Sequence, residues 1–145
     1  MNQIHGKRRF SGGGFTLLEA MFAAMLIGLV IAGLVASSSA FTLANGAGVD
    51  MSTAEFLIEE IRERTTPEPF SNLAGFAGNF TPPIDVTGVS MAEFAAFAQQ
   101  VVVQNVSSSD FTTPQSGSDF IRITVTITKN GQPVSEANWI RAKLD

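Results

Sequence analysis

From Ala20 to Ala36 the chain reads AMFAAMLIGLVIAGLVA, a run with no charge and no strong polar group. With FTLL before it and SSSAFTLA after it, the helix-compatible apolar stretch reaches about 30 residues, and a bilayer core needs roughly 20. Small residues dilute it. Gly28 and Ala32 are four apart and share a helix face, which suits either close approach of another helix or a plain lipid-facing anchor. Asn45–Gly48 (NGAG) then interrupts the helical pattern. Each glycine costs about 1 kcal/mol relative to alanine, so a bend or fraying is expected there. Beyond it, STAEFLIEEIRER (Ser52–Arg64) is again helical, with Ser52 and Glu55 at capping-box spacing. Ala54, Leu57, Ile58 and Ile61 form its apolar stripe, and Glu59, Glu60, Arg62, Glu63 and Arg64 make a mostly solvated face. Within that face Glu60–Arg64 is a favourable pair and Glu59–Glu63 an unfavourable one. Pro67 and Pro69 end the helix.

The pattern then changes period. Thr66 to Ser90 reads as loop, with Phe70, Phe76 and Phe80 pinning it onto a core. Ser90 and Glu93 repeat the capping-box spacing and predict a short helix through about Gln99. VVVQNV (Val101–Val106) reads as a strand. In FIRITVTIT (Phe120–Thr128) apolar and polar positions alternate strictly, so Ile121, Ile123, Val125 and Ile127 face one way. Asn130-Gly131 is the type I′ turn signal, and a strand over roughly Gln132–Lys143 closes the hairpin, with Trp139 as a sheet-face anchor. The fold class is therefore α+β: a long N-terminal helix packed on a small antiparallel sheet. The expected divisions are 1–14 as a leader, 15–44 as the transmembrane half of the helix, 45–66 as its amphipathic half, and 67–145 as a globular α+β domain.

Charge sharpens this picture. Lys7, Arg8 and Arg9 place three of the nine basic residues ahead of the apolar run, which orients that end toward the cytoplasm. A chain beginning after Gly14 keeps six basic and thirteen acidic side chains, a net −7, and lacks the basic footprint of a nucleic-acid binder. Cysteine is absent, and the one histidine, His5, lies in the leader. The commonest general base and metal ligands are thus missing from the rest, and no enzyme or cofactor is expected. Asp85, Asp110 and Asp119 are carboxylates in or next to loops. DFTTPQSGSD (Asp110–Asp119) offers oxygen ligands, but not at EF-hand spacing.

One feature resists the plain anchor reading. Glu19 stands near the start of the apolar run, where an unpaired charge costs several kcal/mol at the least. The small residues Gly12-Gly13-Gly14 precede the apolar segment instead of following it, which reverses the order of an ordinary secretory signal. A cut there removes the basic leader and keeps the membrane helix.

This arrangement resembles the type IV prepilin leader, on the string Gly14-Phe15-Thr16-Leu17-Leu18-Glu19. The strong part of the match covers about Lys7 to Gly33. The resemblance implies cleavage between Gly14 and Phe15 by a membrane-embedded aspartyl prepilin peptidase, followed by N-methylation of Phe15. It also implies that Glu19 acts in assembly. Gly14 lets an extended backbone enter a protease cleft without a side chain to clash. The new amine on Phe15 is a cation, and Glu19 can pair with that of a neighbouring copy or, four residues away, with its own. An interfacial Glu19 reaching into headgroups is the remaining alternative.

The implied partners are the prepilin peptidase, other pilin or pseudopilin subunits through the N-terminal helix, an inner-membrane assembly platform, and membrane lipid before assembly. The implied location is the bacterial inner membrane, single-pass with the globular domain extracytoplasmic, and then the pilus or pseudopilus. Many major pilins close a C-terminal loop with a disulfide. This chain has no cysteine, and its short sheet domain, C-terminal hairpin and FTLLEAM start look more like a minor pilin or a minor pseudopilin of type II secretion. A membrane-tethered binding or adhesion module is the alternative from another class.

Overall fold

The computed structural model describes residues 14–144, so the expected leader lies outside the described residues except for Gly14. In chain order the elements are helix α1 (Leu17–Thr65), a 3-10 helix (Phe70–Phe76), β1 (Gly78–Phe80), a 3-10 turn (Ala92–Phe94), β2 (Phe97–Asn105), β3 (Phe120–Lys129) and β4 (Gln132–Ala142). The strands form one antiparallel sheet in the order β1-β2-β3-β4, each paired with its neighbour in sequence. A long, initially apolar N-terminal helix with a small antiparallel sheet is the expected α+β arrangement. By internal contacts the chain divides into two units, one up to Leu43 and one from Ala44 onward.

In the first unit every described residue is exposed. Its helical part, Leu17 to Leu43, is about 40 Å long at about 1.5 Å per residue, against a hydrocarbon core of about 30 Å. The helix is long and apolar enough there to cross a membrane.

The second unit has its own core. Ala54, Leu57, Ile58 and Ile61 of α1 cluster with Phe97 and Val101 of β2 and with Ile121, Ile123, Val125 and Ile127 of β3. The period of 3.6 on the helix meets the period of 2 on the strands, as the apolar pattern requires. Phe70, Phe80 and Trp139 pack around this cluster. Asn130 and Gly131 both take positive φ (51° and 78°), the backbone that a type I′ turn needs between β3 and β4. Arg141 of β4 closes the C-terminus of α1. Its guanidinium donates to the carbonyls of Thr65 (2.7 Å), Thr66 (2.9 Å) and Glu68 (3.1 Å), at and just beyond the point where the helix stops.

Four expectations are corrected. First, the helix does not fray at Asn45–Gly48, because α1 is continuous from Leu17 to Thr65. Breaking it would create two new ends with orphan backbone groups, which outweighs the propensity cost of two glycines. Second, Ser52 is consequently mid-helix and Glu55 caps nothing. Third, Ser90 and Glu93 do not open an α-helix: a 3-10 turn with no side-chain cap bond stands there, and β2 already begins at Phe97. Val106 lies past the end of β2, where it bridges to Pro114 and donates its N–H to the Phe120 carbonyl (3.0 Å). Fourth, the Thr66–Ser90 segment is not all loop, since it holds the first 3-10 helix and β1. The polar face of α1 is also more engaged than expected. Glu60 accepts the Val86 N–H (2.6 Å), Arg62 pairs with Glu59 and lies over Trp139, and Arg64 lies over Phe76.

Candidate functional site at the start of the long helix

Gly14 and Phe15 precede α1 in non-helical backbone, and Thr16 is its first anchoring residue. The Thr16 carbonyl accepts the Ala20 N–H (3.1 Å), and the Thr16 hydroxyl oxygen accepts the Glu19 N–H (3.2 Å). Thr16 is therefore the N-cap and Glu19 the third helical residue. A carboxylate in the first turn complements the partial positive charge of the helix start. Phe15 is 81% exposed, and a Cβ added at Gly14 would meet nothing within 4 Å. The two residues of the expected cut thus stand clear of the other described residues, one turn before the acid.

Downstream of this start the helix is chemically blank. No charged side chain occurs between Glu19 and Asp50. The hydroxyls of Ser39 and Thr42 donate to the carbonyls of Val35 (3.1 Å) and Ser38 (3.0 Å), so these polar groups are satisfied within the helix. Gly28 and Gly33 have open space at their missing Cβ positions. Leu17, Met21, Phe22, Met25, Ile31 and Leu34 are all exposed in the isolated chain.

The loop aspartates serve their own turns. Asp85 accepts the Thr87 hydroxyl (2.7 Å), the Val89 N–H (2.8 Å) and the Thr87 N–H (2.8 Å). Asp110 accepts the Thr113 hydroxyl and the N–H groups of Thr112 (2.9 Å) and Thr113 (3.0 Å). Hydrogen bonds from Thr87 and Val89, and from Thr113 and Thr112, hold these two carboxyls below the usual carboxylate range. Asp119 faces Lys143 at 4.0 Å. Among the described residues no group of three or more His, Asp or Glu side chains is placed to hold a metal ion. Asp85 and Asp110 thus spend their carboxylate oxygens on their own turns, and Asp119 is set against Lys143.

Thr16 was not singled out from the sequence, although Thr16-Leu-Leu-Glu19 has the same capping-box spacing as Ser52/Glu55 and Ser90/Glu93. Of the three matches, only this one marks an actual α-helix start.

Comparison with protein-family models, with curated proteins and with solved structures finds no match for this chain.

Proposed function

We propose that this chain is a structural subunit of a type IV pilus or type II secretion pseudopilus, released from its leader after Gly14 and assembled through the first half of α1. The observation that carries this reading is the placement of GFTLLE: the glycine and phenylalanine lie just outside a membrane-length helix, and the acid lies in its first turn. Hydrolysis of the Gly14–Phe15 peptide would leave a carboxylate on the basic leader and an ammonium on Phe15. In hydrocarbon that amine and Glu19 each need an opposite charge. A neighbouring copy supplies both, and the pairing fixes the axial register between subunits. The short sheet domain and its C-terminal hairpin favour a minor or tip subunit. Prepilin peptidase and an inner-membrane assembly platform are the partners of this reading, with the bacterial inner membrane as the site of insertion.

The test compares two variants by immunoblot of membranes and of sheared filaments. Gly14→Leu should accumulate as uncleaved precursor. Glu19→Ala should be cleaved and held in the membrane, yet be depleted at least tenfold from filaments, because removing one partner of a buried pair strands the other charge. Normal maturation of Gly14→Leu would overturn the processing role. Undiminished entry of Glu19→Ala into filaments would overturn the assembly role of Glu19, and absence of the parent chain from sheared filaments would leave a membrane-tethered binding module as the better account.

A further inference from the structure

We infer that Thr16 is a positioning residue for Glu19: its side chain fixes where α1 begins, and thereby holds the acid one turn from the amine-bearing Phe15. This rests on the assembly role proposed for Glu19. Four observations carry it. The Thr16 hydroxyl oxygen accepts the N–H of Glu19 itself, at 3.2 Å, and not that of another first-turn residue. The first backbone bond of the helix, Ala20 N–H to Thr16 carbonyl, is anchored on the same residue. Phe15 and Gly14 stay outside the helix. Finally, every residue from Gly14 to Val49 is exposed, so burial among the described residues does not hold the helix start in place.

The physical consequence is specific. First-turn N–H groups have no intrahelical acceptor, and in an apolar surrounding there is no water to take their place. A helix that loses its cap must either unwind past Glu19 or recruit residues upstream, and both shift the acid relative to Phe15. In the chain released after Gly14 only Phe15 stands upstream of Thr16, so the cap on Thr16 is what defines where the helix starts. Register between copies is then set by a pair of groups, the Phe15 amine and the Glu19 carboxylate, whose separation is fixed by one hydroxyl.

The experiment uses the full-length chain with Thr16→Val, Thr16→Ser and Thr16→Asn, scored for precursor cleavage and for the mature fraction in sheared filaments. Thr16→Val keeps the shape and removes the acceptor, whereas Ser and Asn are strong N-caps. We expect Thr16→Val to enter filaments about fivefold less well, the shift set by a cap of ordinary strength. Thr16→Ser and Thr16→Asn should enter as the parent does. In detergent micelles the Glu19 amide should exchange about fivefold faster in Thr16→Val, with Ser and Asn restoring its protection. The inference is overturned if Thr16→Val assembles as the parent does, or if Ser and Asn do not rescue. Failure of the underlying reading looks different: Glu19→Ala itself would then assemble normally.

Discussion

Gln99 has a polar side chain, yet it is completely buried at the centre of the second unit. Its Nε2 donates to the Leu57 carbonyl of α1 (2.8 Å) and to the Ile84 carbonyl (3.3 Å), and its Oε1 accepts the Ile84 N–H (2.8 Å). One amide thus joins helix, sheet and the connection between β1 and β2. Buried amides are tolerated when satisfied and costly when half-satisfied. Gln99→Leu fills nearly the same volume but strands both Ile84 backbone groups. It should lower stability by about 2–3 kcal/mol, as expected for losing partners of buried polar groups. Thermal unfolding followed by fluorescence of Trp139, the only tryptophan, measures it. A melting temperature within a degree of the parent would show that Ile84 finds other partners.

The same residue explains what could and could not be read at the level of elements. In β2 the inward positions are Phe97, Gln99 and Val101. A buried glutamine hides the alternation, and the preceding Ser90–Glu93 spacing suggested a helix instead. β3 carries only aliphatic residues at its inward positions and was legible throughout. β1 is three residues long and begins with a glycine, too short to show a period. The start of α1 leaves a local signal, Thr16 and Glu19 at capping-box spacing, because a helix cap is local in sequence. Tertiary partners such as Arg141 on the end of α1, or Lys129 on Asp50 (2.6 Å), are separated by more than seventy residues and leave no local pattern. At Asn45–Gly48, local propensity pointed to a break that the continuity of the helix overrides. The cost of those glycines should still be measurable. Neither Gly46 nor Gly48 would place a Cβ within 4 Å of another group, so alanine there adds helix propensity without a clash. Gly46→Ala with Gly48→Ala should stabilise the segment by about 1 kcal/mol per site. Amide exchange across residues 44–50 should slow accordingly. Unchanged exchange would mean that opening there is governed by the neighbouring turns.

At the scale of the whole molecule, the contrast lies between two kinds of surface. From Leu17 to Val49 the helix exposes leucine, isoleucine, valine, methionine and phenylalanine on all sides, far more apolar area than a soluble monomer carries. Such a surface needs hydrocarbon or other apolar helices around it. The second unit, by contrast, buries its apolar residues in a core of its own. The two environments can be separated by one substitution that leaves that core untouched. Ile31 lies near the middle of the apolar run, is exposed, and makes no part of the core. A lysine at the centre of a membrane helix costs about 2.5–3.5 kcal/mol of insertion free energy. Ile31→Lys should therefore shift the chain measurably out of the alkali-resistant membrane fraction, while Trp139 fluorescence of the detergent-solubilised protein keeps its native maximum and melting temperature. Retention of Ile31→Lys in the membrane at parental levels would show that the first half of α1 is not what holds the chain there. Loss of the native fluorescence would show that the second unit depends on the first.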